Sequence, residues 1–480
     1  MTNQEIEDTD FAIIQTLFSR QLPVALQLRQ STAKERLRKI ERLRDAVLQR
    51  EEAFYAAFAA DLGKPSVEVN LTELLPVMDE ARHAIKHLSR WMRPRRVAPT
   101  LTTIGTSARV VYQPRGRCLI MGPWNYPLNT LMGPLVSAVA AGNTAILKPS
   151  EMTPHVNAVI DAVVREVFDP DEVAMVHGGV QTAQCLLALP FDHVFFTGSP
   201  SVGKVVMAAA SEHLASVTLE LGGKSPVIVD ETANLERAAE LIVWGKLTNA
   251  GQSCIAPDHV FVHRSVKEHL VKLCKAEITR RYGASEAAVA KSPDFGRMIN
   301  ARHTARVGAL IQNAVERGAN LAAGGMYVVK ERYVAPTLLT DVPANASIWS
   351  EEIFGPVLPI ETFDSVDAVI DRINAAPKPL ALYLWSEARK TIAKVTTKTS
   401  SGGLCVNHCM QHYAHTGLPF GGINNSGLGS AHGYFGYKAF SHERAVLRAG
   451  PLMLLRLFFP PYTNLRVKTS GWLVRMLARI

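Results

Sequence analysis

The feature that most constrains the fold is an alternation of short apolar runs with longer helical segments, beginning near Arg117. The short runs are CLIMG, TAILKPS, VAMVHG, HVFFTG and SVTLELG. Segments such as LNTLMGPLVSAVAAG and TPHVNAVIDAVVREVF separate them, with Thr153-Pro154 as a helix start and Gly142 as a helix stop. Strands and helices at this spacing predict an α/β fold whose parallel, doubly wound sheet is covered on both faces.

Two further regions flank this sheet in the sequence. Residues 32–93 have helical periodicity, with a capping box at Thr32 and Glu35 and a break at Gly63 and Pro65, followed by a predicted helix from about Glu68 to Trp91. A second α/β series follows residues 220–223. Its predicted strands are SPVIVD, HVFVH, PTLLTDV, FGPVLPIETF, ALYLWS and GLCVNH. There is no internal repeat and no low-complexity segment.

Composition narrows the class of protein. The 480 residues are 47% hydrophobic and 20% charged, which is typical of a soluble globular protein with more than one domain. Six scattered cysteines and an acidic N-terminus without a secretory leader predict reduced thiols in the cytoplasm. The net charge of +9 comes without any nucleic-acid-binding signature, so we expect no nucleic-acid partner.

The C-terminus is both basic and apolar. After His442 seven arginines and lysines face one acid, Glu443, and the runs PLMLLRLFFPPY and GWLVRMLARI follow. Both runs fall short of the roughly twenty apolar residues that span a bilayer, so no transmembrane helix is predicted. Two interpretations remain open: the tail packs on its own domain or on a second subunit, or it contacts an anionic membrane surface.

One cysteine has an unusual setting. Cys254 lies in TNAGQSCIAPDH, just after an apolar helical segment, and His259 is five residues away. A core cysteine favours an apolar run, and a metal ligand favours a second Cys or His within two to four residues. A nucleophile on a tight turn is the third possibility, with Glu220 at a strand end as a candidate base. The alternatives are a small buried cysteine and an ion-paired surface carboxylate.

Three strand ends carry candidate binding groups. In HVFFTGSPSVGK, Gly198, Ser199 and Gly203 could let a backbone approach a phosphate at a helix N-terminus, or could form a plain glycine-rich turn. In TAILKPSE, Lys148 and Glu151 could hold a ribose, or be an exposed lysine and a helix cap.

The third strand end is CLIMGPWNYPLN. Here Asn125 stands between Trp124 and Tyr126, where a rigid amide could donate to an oxyanion. A simple turn asparagine is the alternative.

A cluster of potential metal ligands competes with this interpretation. The spacings within GLCVNHCMQHYAHTG suit zinc. The residues are Cys405, His408, Cys409, His412 and His415. Because GLCVN has the pattern of a buried strand, we expect no metal there.

Taken together, the motifs identify a family. PWNYP, LKPSE, FTGSPSVGK, LELGGKSP, GQSCIAP, EEIFGPVLP and LPFGG…SGLG, in this order over residues 30–465, resemble the NAD(P)-dependent aldehyde dehydrogenase superfamily. GKSP, CIAPD, SHER and PPYTN resemble its class 3-like branch, and SRWMRPRR is similar to bacterial coniferyl aldehyde dehydrogenases.

The resemblance implies a chemical role for each motif. Cys254 would form a thiohemiacetal with the aldehyde, Asn125 and the Cys254 N–H would stabilise the oxyanion, and Glu220 would activate water for thioester hydrolysis. The cofactor would be NAD, with NADP also accepted. Its binding residues would be Trp124, Lys148, Glu151, Gly198, Ser199, Gly203, Glu352 and Phe354.

The resemblance also implies an architecture. A Rossmann-type cofactor domain with the N-terminal helices would cover residues 1–219, including a bridging strand near 107–114, and a catalytic domain would cover 220–410. Residues 411–450 would return to the cofactor domain and the bridging element, and 451–480 would form the tail. The protein would be a homodimer acting on aromatic or medium- to long-chain aliphatic aldehydes.

Two departures concern the substrate entrance. The family usually has glycine where this chain has Asn424, and a tyrosine or similar residue where it has Ala431. The alternatives to an aldehyde dehydrogenase that forms a free acid are a coenzyme A-acylating relative, a catalytically idle scaffold and a thiol esterase. Glu220 argues against the first of these, and the complete set of site residues argues against the second.

Overall fold

The computed structural model describes residues 8–450 and 454–479. Residues 1–7 of the predicted first domain, and residues 451–453 and 480 of the predicted tail, lie outside the described residues. The fold is α/β, as predicted, with strands and helices alternating along most of the chain.

The secondary structure of the described residues is as follows. The helices are α1 (Phe11–Leu28), α2 (Ala33–Leu48), α3 (Glu51–Leu62), α4 (Ser66–Val69), α5 (Leu75–Trp91), α6 (Pro127–Ala141), α7 (Pro154–Val167), α8 (Val180–Leu187), α9 (Pro200–Ser211), α10 (Leu235–Leu247), α11 (Lys267–Tyr282), α12 (Glu286–Lys291), α13 (Ala301–Glu316), α14 (Val366–Ala375), α15 (Arg389–Lys398), α16 (Gly433–Ala439) and α17 (Asn464–Leu477). The strands are β1 (Arg95–Val97), β2 (Thr106–Pro114), β3 (Arg117–Met121), β4 (Thr144–Lys148), β5 (Val173–Met175), β6 (His193–Gly198), β7 (Ser216–Leu221), β8 (Pro226–Val229), β9 (His259–His263), β10 (Asn320–Ala323), β11 (Tyr327–Val328), β12 (Tyr333–Val334), β13 (Thr337–Thr340), β14 (Val357–Phe363), β15 (Ala381–Trp385), β16 (Gly403–Val406), β17 (Gly427–Leu428) and β18 (Ser441–Ala449).

The first large sheet has the order β17-β7-β6-β3-β4-β5, and all of its strands except β17 run parallel. Strand β3 lies at its centre and is fully buried at Cys118, Leu119 and Ile120. From β3 the chain proceeds to β4 on one side, whereas β6 pairs on the other side. Such a reversal of strand order opens a crevice at the carboxyl ends, where ligands of open α/β sheets bind.

The second large sheet has the order β10-β13-β14-β9-β8-β15-β16. Its strands are parallel apart from β10, and its core is built from apolar residues on both faces. The chain passes from β7 of the first sheet to β8 of the second through residues 222–225. Cys254 lies in the turn between α10 and β9, and its carbonyl accepts a hydrogen bond of 3.4 Å from Ser225 Oγ at the end of this passage.

A third, antiparallel sheet has the order β1-β2-β18. Its strands β2 and β18 lie where the bridging element is predicted, and they pair from Ser441 opposite Pro114 to Ala449 opposite Thr106. Strand β18 forms one edge of this sheet and is mostly exposed.

The predicted helix from Glu68 to Trp91 is divided into α4, a π-helical turn over Asn70–Leu74, and α5. The physical reason is Pro76 in the first turn of α5, which has no N–H to donate to the Thr72 carbonyl four residues earlier. That carbonyl instead accepts a hydrogen bond from Asn129 Nδ2 at 3.4 Å.

The tail is ordered as a short turn, Leu454–Phe458, and helix α17. The turn contacts residues 101–103, but α17 has no buried residue. Among the described residues, no helix combines the length and the apolar character that crossing a bilayer requires.

Candidate active site

The turn that carries Cys254 has an unusual backbone. After α10, Asn249, Ala250 and Gly251 all adopt positive φ angles of 53°, 50° and 74°. Left-handed backbone costs a non-glycine residue about 1–2 kcal/mol, so two such residues in succession require firm support from their surroundings. Cys254 follows three residues later and is partly exposed.

Gln252 provides part of that support. Its Nε2 donates to the carbonyls of Asn249 and Arg297, both at 3.0 Å, and its Oε1 accepts from the Ile299 N–H at 2.9 Å. The side chain is fully buried, and each of its polar atoms is paired. The glutamine of GQSC therefore fixes the turn that leads to Cys254.

Asn125 lies against the same turn. It follows β3 at the centre of the first sheet, and its Nδ2 donates to the Gln252 carbonyl at 3.0 Å. Its own carbonyl accepts from Asn249 Nδ2 at 2.9 Å. One proton of the Asn125 amide remains available for a substrate oxygen.

The surroundings of Cys254 favour the neutral thiol. Burial, with the carboxyl groups of Glu352 and Glu220, raises the pKa of Cys254 to about 12. The backbone N–H groups of Cys254 and Ile255 act in the opposite direction and favour the thiolate. A thiol in this state needs a base or a change in its surroundings before it can attack.

Glu220 lies near the end of β7 and is 5% exposed. Neither of its carboxyl oxygens has a hydrogen-bond partner among the described residues. Burial raises the pKa of Glu220 well above its usual range. A buried carboxyl group without a hydrogen-bond partner is costly, and groups with strongly shifted pKa values cluster at functional sites.

The carboxyl group of Glu352 lies directly against Gly222, which follows β7. A Cβ at Gly222 would lie 2.2 Å from Glu352 Oε2, so only glycine leaves room for this carboxyl group. Burial and the nearby Asp258 raise the pKa of Glu352 to about 8, against the hydrogen bond from the Gly223 N–H.

Aromatic rings form a second wall of the cleft. The rings of Trp124 and Phe354 meet edge to face, with centroids 5.4 Å apart. Phe354 has a φ angle of 48°, a strained value for an aromatic residue.

Lys224 and Asp258 join the segment before Phe354 to the core, and sequence analysis did not identify either residue. Asp258 accepts from Lys224 Nζ at 2.6 Å and from the Ile353 N–H at 3.0 Å. Burial alone would raise the pKa of Asp258, but Lys224 and His259 hold it well below its usual range. The motifs GKSP and CIAPD contain both residues, but nothing in their spacing indicates the pair.

The candidate adenosine site lies at the end of β4. Lys148 is 6% exposed, and its Nζ lies 3.5 Å from Glu151 Oε2. Burial lowers the pKa of Lys148, whereas Glu151 raises it. A buried lysine with one loose carboxylate partner can still donate to further oxygens.

The glycine-rich turn after β6 begins helix α9. Ser199 caps the helix and accepts from the Val202 N–H, and Pro200 occupies the first helical turn. A Cβ at Gly203 would lie 2.7 Å from Leu221 Cδ2, so Gly203 lets α9 pack closely on β7. A helix N-terminus at the carboxyl end of a parallel strand suits an anionic pyrophosphate.

These features fit a dinucleotide. The strand ends of the first sheet carry four features: the Glu352 carboxyl group against Gly222, the pair of rings at Trp124 and Phe354, the N-terminus of α9 and the buried Lys148. The unpaired Glu220 carboxyl group lies at the end of β7, close enough to Cys254 to raise the pKa of the thiol.

The candidate zinc ligands include one close pair and one fully buried cysteine. Cys405 Sγ lies 3.1 Å from His412 Nδ1, and Cys409 is fully buried. Across the described ranges 8–450 and 454–479, no group of three or more His, Cys, Asp or Glu side chains could hold a metal ion.

The two departures lie in a loop next to an aromatic cluster. Asn424 has a φ angle of 55°, and asparagine tolerates this left-handed geometry better than most residues, so it can replace the family's glycine. The rings of Phe420 and His432 pack on Tyr413 at 4.8 and 4.6 Å. Ala431 immediately precedes His432 and leaves that side of the cluster without a tyrosine ring.

Comparisons with known proteins agree with this geometry. The model of the family described as "Aldehyde dehydrogenase family" matches residues 17–446. A 4,4'-diaponeurosporen-aldehyde dehydrogenase of Staphylococcus aureus is 42% identical over 432 residues, which cover 90% of this chain and 92% of the relative. The human aldehyde dehydrogenase family 3 member B1 is 41% identical over 422 residues, covering 88% of each chain.

Solved structures of aldehyde dehydrogenases also superimpose on this chain. A substrate-bound Staphylococcus aureus AldH superimposes with a TM-score of 0.91 at 39% identity, covering 96% of this chain and 99% of that one. An NAD⁺ complex of an aldehyde dehydrogenase from Bacillus cereus has a TM-score of 0.83 at 28% identity, covering 92% and 90%. The chain therefore belongs to the aldehyde dehydrogenase family, whose NAD(P)-dependent enzymes oxidise aldehydes to carboxylic acids.

Proposed function

We propose that Cys254 is the nucleophile of this oxidation. The thiol first releases its proton to a water molecule in the cleft. The thiolate sulfur then forms a bond to the aldehyde carbon, and the carbonyl π electrons move to the oxygen. The free proton of the Asn125 amide and the Cys254 N–H stabilise the resulting oxyanion. The observation that carries this proposal is the hydrogen-bonded contact between Asn125 and the nucleophile turn at Gln252, because it brings a donor from one sheet to a thiol from the other.

We also propose which residues bind the cofactor. Glu352 would hold the nicotinamide ribose, and Trp124 and Phe354 would line the cleft beside it. Lys148 and Glu151 would hold the adenosine ribose, and the turn at Gly198, Ser199 and Gly203 would lie near the pyrophosphate. NAD(P), when bound, supplies the acceptor for the hydride that leaves the aldehyde carbon.

Glu220 acts in the hydrolytic half of the reaction. When water enters the cleft, the carboxylate takes a proton from it, and the resulting hydroxide attacks the thioester carbon of Cys254. The carbon–sulfur bond breaks, the carboxylic acid leaves and the thiolate is regenerated. The unpaired oxygens of Glu220 support this role because a base must keep an acceptor free for water.

We propose NAD as the preferred cofactor. Glu151 is partly exposed beside Lys148, and its negative charge would repel a 2′-phosphate while its oxygens accept from ribose hydroxyls.

The proposed substrates are aromatic or medium- to long-chain aliphatic aldehydes. The aromatic cluster of Tyr413, Phe420 and His432 supports an apolar substrate, as does the relative named for 4,4'-diaponeurosporen-aldehyde.

Two proposals concern the molecule beyond its site. We propose a homodimer, because β16 and β18 are both unpaired sheet edges. We also propose that the tail makes peripheral membrane contact from the cytoplasm, because α17 exposes apolar and basic side chains.

The first test measures the reduction of NAD to NADH, or of NADP to NADPH, by purified protein with acetaldehyde, benzaldehyde, coniferaldehyde and dodecanal. We expect faster reduction of NAD than of NADP, and faster turnover with the three larger aldehydes than with acetaldehyde. Cys254→Ala should abolish activity. Cys274→Ala, which changes a buried cysteine elsewhere in the chain, is the control and should retain activity. A folded, NAD-binding protein that reduces no cofactor with any of these aldehydes would overturn the proposal.

A further inference from the structure

We propose that Glu68 is a positioning residue for the nucleophile, a proposal that rests on the role of Cys254 proposed above. Glu68 lies in α4, among the N-terminal helices and far from Cys254 in sequence. Its Oε2 accepts a hydrogen bond of 2.8 Å from the backbone N–H of Asn249.

The nucleophile turn comprises residues 249–254. Asn249 is the first of its three residues with a positive φ angle. It is 1% exposed, so its N–H cannot bond to water instead. Its Nδ2 donates to the carbonyl of Asn125 at 2.9 Å and to that of Gln252 at 3.2 Å. Asn249 therefore connects the oxyanion donor to the segment that leads to the thiol, and Glu68 holds the backbone of this connecting residue.

The surroundings of Glu68 direct its carboxyl group to this contact. Lys64, whose charge also acts on Glu68, is fully buried and bonds to Glu73 at 2.7 Å. Among the described residues, Glu68 has no cation within salt-bridge distance. The Asn249 N–H is thus the main polar partner of a half-buried acid.

Loss of this acceptor would leave a buried donor without a partner, and the turn would shift to satisfy it. A shift of the turn moves the thiol relative to the Asn125 amide. It leaves the candidate cofactor residues on β4 and α9 in place, because they belong to the first sheet. The effect should therefore appear in kcat and in thiol reactivity, and not in NAD affinity.

The experiment compares Glu68→Ala with Glu68→Gln, which keeps an acceptor oxygen at the same distance. The control is Glu35→Ala, which also removes a carboxylate bonded to a backbone N–H, but on the exposed start of α2. Three quantities are measured: the rate at which iodoacetamide alkylates Cys254, followed by peptide mass spectrometry, kcat with the best aldehyde, and the Kd for NAD.

In Glu68→Ala we expect alkylation and kcat to fall together by roughly 10- to 100-fold, the size of effect that small misplacements of reacting groups produce. The Kd for NAD should be unchanged, and Glu68→Gln and Glu35→Ala should behave like the parent protein. Equal alkylation in Glu68→Ala and the parent would overturn the inference, as would a Glu68→Gln variant as slow as Glu68→Ala. If the parent protein oxidises no aldehyde, the proposed function fails, but alkylation still tests the positioning role.

Discussion

Burial favours the neutral forms of both Cys254 and Glu220, because it raises the pKa of each group above its ordinary value. In the proposed reaction both groups must ionise, so their surroundings have to change during turnover. Their ionisation depends on what enters the cleft, since burial is the largest cause of both shifts.

At the scale of residues, Glu220→Gln separates the two halves of the reaction. Glutamine keeps the shape of the side chain but cannot take a proton from water. We expect a burst of about one NADH per Cys254, followed by turnover slowed by roughly 10²- to 10⁴-fold, the usual contribution of a general base. Rapid-mixing absorbance would record the burst, and peptide mass would identify the acylated cysteine.

The control is Glu231→Gln, an exposed carboxylate after β8. It should turn over like the parent protein. Steady turnover at the parent rate in Glu220→Gln would remove Glu220 from the hydrolytic step.

Sequence patterns indicated Cys254, Asn125 and Glu220 individually, but each had an ordinary alternative. Their common location depends on hydrogen bonds such as those of Gln252 and Asn249, which join residues from separate sheets. Glu68 gave no signal at all, because an acid in a short helix is commonplace.

At the scale of elements, the close packing of α9 on β7 depends on Gly203. In Gly203→Ala the new methyl group would press on Leu221, so α9 and its N-terminus must move. If an overpacking cost of about 1–2 kcal/mol falls on the bound state, the Kd for NAD should rise roughly 5- to 30-fold. Isothermal titration with NAD measures this change.

The neighbouring variant Lys204→Ala removes a side chain that faces solvent and should bind NAD normally. The alkylation rate of Cys254 should be unchanged in both variants. An unaltered Kd in Gly203→Ala would mean that α9 does not contribute to the cofactor site.

At the scale of the whole molecule, the proposed dimer would use two of the sheet-edge strands. Strand β16 ends the second sheet and β18 ends the third. We expect sedimentation at twice the chain mass of 52.5 kDa. Leu447→Glu on β18, where leucine is 57% exposed, should shift the protein toward monomer. Leu214→Glu, at a 93% exposed leucine after α9, is the matched control. Sedimentation of the parent protein as a monomer would contradict the proposal.

The tail is the second feature at this scale. In α17, Leu465 and Trp472 are 74% and 57% exposed, among three basic residues and no acid. We expect the full chain to sediment with vesicles containing anionic lipid, and a chain ending at Gly450 to remain in solution with its activity intact. Salt should weaken binding because it screens the basic residues. Failure of the full chain to sediment with the vesicles would exclude membrane contact.

The sequence by itself determined the fold class and the family, and it indicated Cys254, Asn125 and Glu220 as candidate site residues. Those features are local: strand and helix periodicity, glycine turns and short motifs are carried by neighbouring residues. Tertiary structure alone decided which residues meet. The contacts of Glu68 with Asn249, Gly222 with Glu352 and Lys224 with Asp258 join distant segments. Such contacts form only when two sheets and the N-terminal helices pack together, because burial and distance are properties of the folded chain.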